Sequence, residues 1–248
     1  MTRADLDHVA IGAWSRDDVA GDFTSWFGGR EVSRFEIPSW AGLQLTFAGG
    51  IRLEVLEPVE NPLDDFLYRF LQRSGVGPHH MTFKVEDIEA AIAQLRDLGI
   101  DPVKVDLSNP GWREAFLHPS LGIGTVVQLA QQGGKWEAER APDPEPDGAV
   151  RAEFLGAEMA SDLQVAARIF GEVLGGSPAQ VGSAIGYSWP GGGTVVVHPV
   201  ERDARPRVLK LVFRQAAGSG SDLEVGEEKL YASAATLVRL GPGEAWPR

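Results

Sequence analysis

The run HMTFKVEDIEAAIAQLRDLG, residues 80–99, reads as a short strand passing directly into a helix. Ile88, Ile92, Leu95 and Leu98 fall on one side of that helix as a single apolar stripe, and Gly99 stops it. Strand candidates follow at Asp101 to Asp106, Glu114 to Leu117 and Gly124 to Ala130, with Pro and Gly turns between them. This unit, from about residue 78 to 131, therefore has the order βαβββ. Upstream, from about residue 5 to 58, the same order occurs once already. HVAIGA opens it from His8, and Val19, Phe23 and Phe27 recur every fourth residue before Gly28 and Gly29. Glu31 to Ile37, Leu43 to Phe47 and Ile51 to Leu56 complete it, the last two separated by an Ala-Gly-Gly turn. Between the units, NPLDDFLYRFLQRSG predicts a connecting helix with Phe66, Phe70 and Leu71 on one side. The expected fold is α+β, with paired βαβββ modules forming a cupped, mixed, mostly antiparallel sheet.

The remainder of the 248 residues points to a second, degenerate copy. Gly133 to Gly148, GGKWEAERAPDPEPDG, has no apolar periodicity and reads as a linker. After it, FLGAEMAS resembles an opening strand; Leu163, Ala167, Phe170 and Leu174 have helical spacing, then come Gly175-Gly176 and GTVVVHPVE. A fourth piece, VLKLVFR to TLVRLGPG, has strands without a convincing helix. The expected organisation is thus 1–132, a linker over 133–150, and 151–248. A formal net charge of −12 with pI near 4.9 argues against nucleic acid and anionic membrane as partners. No apolar stretch approaches a membrane span, and the start lacks a signal-peptide pattern, so the default location is cytoplasmic. With no cysteine, thiolate ligands, disulfides and cysteine nucleophiles are excluded.

The repeat places polar residues at equivalent points. His8 opens the first strand of one unit and Glu54 follows 46 residues later in its last strand; Gln128 follows His80 by 48. A single histidine at a strand start is ordinarily a hydrogen-bonded structural residue, and Glu54 or Gln128 alone could be an outward strand residue. Two pairs at nearly one spacing are another matter: pseudo-symmetric packing would bring two imidazoles, a carboxylate and an amide together. That donor set suits a first-row divalent ion and leaves positions open for water or a chelating substrate. His79 is ambiguous, but aligning HVAI with HMTF selects His80, while His118 and His198, each before a proline, read as turn or structural residues.

The stretch GPHHMTFKVEDIEAAIAQLRDLGI, preceded by LDDFLYRFLQRSG and followed by FLHPSLGIGTVVQLAQ, resembles methylmalonyl-CoA epimerases and glyoxalase I enzymes of the vicinal oxygen chelate superfamily. The resemblance covers about residues 5 to 132. It implies one divalent ion, of the set Co, Ni, Mn, Zn, Mg and Fe, held by His8 and Glu54 from one module and His80 and Gln128 from the other. Two departures stand out. Gln128 replaces the glutamate usual in epimerases, and IPSWAG, with Ser39 and Trp40, replaces a PEHG-like turn. An amide cannot take a proton, so Glu54 is the one ligand able to serve as base. In the degenerate copy Gly156 stands against His8, Val195 against Glu54 and Arg239 against Gln128, so no second site of this kind is expected there.

The leading expectation is a lyase or isomerase that moves a proton next to the carbonyl of a small-molecule carbonyl or acyl-thioester substrate. A ring-cleaving extradiol-type dioxygenase is the second, given tandem domains and a two-histidine, one-carboxylate set. A non-catalytic binding or antibiotic-sequestering protein is the third, with Trp40 near the pocket-facing turn as a substrate contact. A homodimer is compatible with each.

Overall fold

The computed structural model describes residues 2–47, 50–59, 65–133 and 152–215. The first unit consists of β1 (Ala4–Gly12), α1 (Arg16–Phe27), β2 (Arg30–Glu36), β3 (Trp40–Thr46) and β4 (Arg52–Pro58). Helix α2 (Phe66–Ser74) then leads to the second unit: β5 (Gly77–Val85), α3 (Ile88–Asp97), β6 (Lys104–Asp106), β7 (Trp112–Leu117), a single 3-10 turn at Pro119–Leu121, and β8 (Val126–Gln132). Both units are βαβββ, as the repeat predicts. Ser15, Asp65 and Asp87 each accept hydrogen bonds from the first-turn amides of the helix they precede, satisfying donors a helix start leaves orphaned. Gly28 closes α1 at a φ of 70°, a left-handed geometry that a Cβ disfavours.

The two units share one eight-stranded sheet in the order β2-β3-β4-β1-β5-β8-β7-β6. β1 and β5 pair antiparallel at its centre, and each has a parallel partner on its outer side, β4 or β8. Period-2 alternation then divides the side chains. Leu6, Val9, Ile11, Leu53, Val55, Met81, Phe83, Val127 and Leu129 are buried in the main core with the apolar sides of α1 and α3. The intervening residues His8, Ala10, Glu54, His80, Thr82 and Gln128 share the opposite face.

Helix α2 buries Leu71 of the side that the sequence suggests together with Leu67, and Phe70 packs against the same cluster, whereas Phe66 is exposed. Leu67 and Leu71 meet Ala10 and Leu56 on the sheet, while the rings of Phe66 and Phe70 also contact His79. Gly12 makes this approach possible, since a Cβ there would press on Phe70 and Leu67.

The second sheet holds β9 (Ala152–Ser161), β10 (Ser177–Val181), β11 (Ala184–Ser188), β12 (Thr194–Pro199) and β13 (Arg207–Gln215), in the order β10-β11-β12-β9-β13. This repeats the first module strand for strand, with β9 parallel to β12 and β13 in the place of β5. The helix after β9 is a short α4 (Leu163–Ala166) continued by a π-helical segment, Ala167–Val173. The expected linker beyond Gly133 and the TLVRLGPG segment with Arg239 lie outside the described residues. An aromatic seam joins the sheets: Phe213 stacks on Phe27 and Phe154 at centroid distances of 4.2 and 4.6 Å, and Phe83 packs on Trp189 at 4.8 Å. Each such pair contributes about 0.5–1.5 kcal/mol beyond area burial. The loop after Trp189 approaches β1 closely, and Gly191 donates its amide to Asp5 at 2.7 Å.

Candidate metal centre

Strand register explains why the two spacings match. In the parallel pair β1/β4, His8 lies opposite Arg52 and Ala10 opposite Glu54; in β5/β8, His80 lies opposite Val126 and Thr82 opposite Gln128. Each polar residue in the outer strand therefore sits two positions beyond its histidine's partner. Leu53 and Val55 point into the core on either side of Glu54, which forces its carboxylate onto the opposite face.

There His8, Glu54 and His80 come together, all buried, with one ligand atom from each lying within 4.8 Å of the others. His8 Nε2 is 3.4 Å from Glu54 Oε2, and His80 Nε2 is 3.7 Å from the same oxygen. His8 Nε2 is buried and makes no well-formed hydrogen bond, its 3.4 Å contact with Glu54 Oε2 being an ion pair only, so a bound ion would satisfy it better than the protein does. Two imidazole nitrogens and a carboxylate oxygen so placed fit a divalent ion. Gln128 is buried on the same face; its Oε1 accepts from Thr82 Oγ1 at 2.6 Å and its Nε2 donates to Glu114 at 2.9 Å. Because a carboxylate without a proton only accepts, Glu114 fixes which end of the amide is oxygen.

A second layer backs each of these side chains. Asp7 Oδ2 is 2.8 Å from His8 Nδ1, and Lys84 lies 3.2 Å from Asp7. Gln44 Nε2 donates to Glu54 Oε1 at 3.0 Å, and Arg52 donates to Gln44 at 3.2 Å. His79 Nδ1 is 2.9 Å from His80 Nδ1. Lys104 and the Trp112 indole hold Glu114. Asp7, Gln44, Thr82 and Glu114 are absent from the sequence reading of the site, and His79 is set aside there in favour of His80. For Asp7 a signal existed. Leu6 and Val9 both face the core although three positions apart, and two adjacent polar residues in such a gap mark a bulge.

The two imidazoles differ in charge. Burial is the largest influence on His8 and lowers its pKa, but the Glu54 charge and the Asp7 hydrogen bond together outweigh it and raise the group to about 9. Burial, reinforced by the charges of His79 and His8, holds His80 well below its ordinary value. Asp7 is pushed up by burial, yet the hydrogen bond and charge of His8 and the charge of Lys84 bring it down to about 2. In the metal-free protein His8 is thus protonated at pH 7 and His80 neutral. An ion taking His8 Nε2 must displace a proton, so binding at pH 7 should release about one, and affinity should rise roughly tenfold per pH unit until about pH 9. Calorimetric titration in buffers of different ionisation enthalpy counts that proton; a count of zero would contradict this charge state.

Residues 7–116 match the family described as the Glyoxalase/Bleomycin resistance protein/Dioxygenase superfamily. Residues 7–116, which hold His8, Glu54 and His80, carry this superfamily's signature. No curated protein matches the chain at a significant level. Among solved structures, a 4-hydroxymandelate synthase variant from Streptomyces coelicolor aligns with a TM-score of 0.58 at 17% identity, covering 86% of this chain and 71% of that one. Methylmalonyl-CoA epimerase from Mycobacterium tuberculosis aligns with a TM-score of 0.47 at 21% identity, over 52% of this chain and 88% of the other. A Streptomyces coelicolor epimerase variant in complex with 2-nitronate-propionyl-CoA gives 0.48 at 22%, over 55% and 99%. The alignment with the synthase spans both sheets, so the likeness in fold extends to the second sheet.

That second sheet repeats the strand order of the first module, and among its described residues the ligand positions are not kept. Its register sets Gly156 opposite Thr194, which puts Val196 at the place of Glu54. The sequence alignment gives Val195 there; Val195 points into the core because alternation from Thr194 leaves it on the other face. His198 lies within β12, 3.3 Å from Glu158, whereas His118 caps the 3-10 turn by accepting the Ser120 amide. Among the described residues, His8, Glu54 and His80 form the only cluster of three or more such side chains suited to an ion. Trp40 is not in it: the residue packs edge-on to Phe35 in the apolar cluster with Leu56 and Leu67.

Proposed function

We propose that the protein is a metal-dependent lyase or isomerase that transfers a proton at the carbon next to a substrate carbonyl, with one divalent ion held by His8, Glu54, His80 and Gln128. The observation that carries this reading is the buried His8–Glu54–His80 group, in which His8 Nε2 makes no well-formed hydrogen bond. When bound, the ion supplies Lewis acidity, polarising the carbonyl and stabilising enolate charge.

The protein's own residues divide the remaining work. His8 and His80 contribute neutral nitrogen donors, and Gln128 contributes an amide oxygen once it turns from Thr82. Glu54 has two oxygens: Gln44 holds Oε1, and Oε2 faces both histidines. Of the four ligands only Glu54 can accept a proton, which makes it the base. A carbonyl or acyl-thioester compound is the substrate class. Leu67 and Leu71 occupy the face over Ala10 and Leu56, which leaves the face over β5, β7 and β8 for it.

A second reading, iron-dependent oxygen chemistry of the dioxygenase type, is favoured by one observation. The clustered ligands are two histidines and one carboxylate, the set used by non-haem iron oxygenases. Metal analysis of protein purified without chelator separates the two, followed by proton–deuterium exchange on acyl-CoA and hemithioacetal substrates. Metal-dependent exchange supports proton transfer. Exchange that persists after complete metal removal overturns it, and iron with oxygen uptake but no exchange favours the second reading.

A further inference from the structure

The antiparallel pairing of β1 with β5 is interrupted twice. Leu6 pairs with Phe83 and His8 with Thr82, so Asp7 has no cross-strand partner; Ala10 pairs with His80 and Ile11 with Pro78, so His79 has none. Each interruption falls on the residue immediately before a ligand histidine. A regular strand would send residues 7 and 79 to the face opposite His8 and His80. An extra residue on one strand instead re-aims its side chain, and here both land on the ligand face. Asp7 Oδ2 reaches His8 Nδ1 at 2.8 Å, and His79 Nδ1 reaches His80 Nδ1 at 2.9 Å.

Resting on the metal reading above, we propose that Asp7 and His79 are the positioning residues of the two imidazole ligands, set in place by this matched pair of bulges. An imidazole that binds through Nε2 carries its proton on Nδ1 and needs an acceptor there. Asp7 is that acceptor for His8 and His79 for His80. Lys84, fully inside the protein with its nitrogen 3.2 Å from Asp7 Oδ1, balances the carboxylate charge. His79 is held in turn by the rings of Phe66 and Phe70 on α2, at centroid distances of 5.4 and 4.8 Å. The support is unequal by design of the sequence: a carboxylate strengthens His8 as a donor, and a neutral imidazole orients His80 without adding charge.

The rival role for Asp7 is merely counter-ion to Lys84, and a charge-deleting pair of variants separates the two. Cobalt is the probe, with chelator competition for affinity, visible absorption for ligand geometry, and the exchange-protected Nδ1–H signals of the bound histidines. Asp7→Asn should weaken cobalt binding roughly 10–100-fold and alter the absorption bands and the His8 signal. Asp7→Asn combined with Lys84→Met removes the unpaired buried charge, so its melting temperature should recover; its cobalt affinity should stay low. This double variant also serves where Asp7→Asn alone fails to fold. His79→Phe keeps an aromatic ring against Phe66 and Phe70 but removes the acceptor, and should perturb only the His80 signal. Full recovery of affinity in the double variant would make Asp7 a counter-ion alone and overturn its assignment. An unchanged His80 signal in His79→Phe would do the same for His79. If the parent protein itself takes up no cobalt, the metal reading falls, and these assignments with it.

Discussion

His80→Ala should abolish stoichiometric metal binding, from about one ion per chain in the parent to none. Three side chains converge on one volume, and His80 Nε2 lies 3.7 Å from the Glu54 oxygen that also faces His8. Without His80 the ion keeps one imidazole and one carboxylate among the clustered groups. The loss should exceed the roughly 10–100-fold that removing an outer hydrogen-bond partner costs, because a bond to the ion itself is gone. Elemental analysis of protein purified without chelator measures this, with a thermal melt to show folding. The fold should tolerate the change, since Met81 and Phe83 on the other face of β5 carry its packing. Stoichiometric metal in His80→Ala, or two ions in the parent, would show the ligand assignment to be wrong.

The architecture was legible because the repeat is a physical constraint as well as a pattern. Each βαβββ unit buries one sheet face under its own helix, so each must repeat the same order of strand, amphipathic stripe and three strands. Ile88, Ile92 and Leu95, and Val19, Phe23 and Phe27, form buried stripes on α3 and α1 as their spacing predicts. The nearly equal spacing of Glu54 and Gln128 from their histidines, 46 and 48 residues, was legible for the same reason, the place of each beside its histidine being fixed by parallel register in both halves. Helix α2 was less so. Its apolar residues occupy two sides, and which side meets the sheet is settled by long-range packing of Leu67 and Leu71 on Ala10 and Leu56.

What stayed hidden depends on contacts between distant segments. Glu114 is one residue of an ordinary alternating strand, with Ala115 and Leu117 in the core; only the pairing of Phe116 with Gln128 brings its carboxylate beside that amide. Gln44 likewise meets Glu54 through direct cross-strand register. Val196 rather than Val195 takes the place of Glu54 because a slip of one residue in register exchanges the two faces. Bulges have the same effect within one strand, which is why the alternating pattern does not reveal Asp7 and favours His80 over His79.

Glu54→Gln should separate the two tasks assigned to Glu54, by still filling the site at saturating metal while lowering proton exchange roughly 10²–10⁴-fold. The amide still offers an oxygen toward His8 and His80. Its nitrogen then faces Gln44, whose own Nε2 now donates to Glu54 at 3.0 Å and whose oxygen accepts from Arg52. Gln44 must turn over to accept, which places its amino group against the Arg52 guanidinium. One hydrogen bond is forfeited, about 1 kcal/mol, and the oxygen donor to the ion loses its charge, so metal affinity should fall by at least the roughly 10–100-fold expected for an outer partner while the site still fills at saturating metal. Saturating metal does not restore the exchange rate, because an amide cannot accept the substrate proton and the neighbouring Gln128 cannot either. Hydrogen–deuterium exchange into a confirmed substrate, measured at saturating metal, reads the chemical task, and chelator competition reads the binding task. Full exchange activity in Glu54→Gln would end the assignment of Glu54 as base. Glu114, a carboxylate on the ligand face beside Gln128, is held by Gln128, Trp112 and Lys104. It would then be the residue to replace next, and Glu114→Gln should silence exchange if it had been the base throughout.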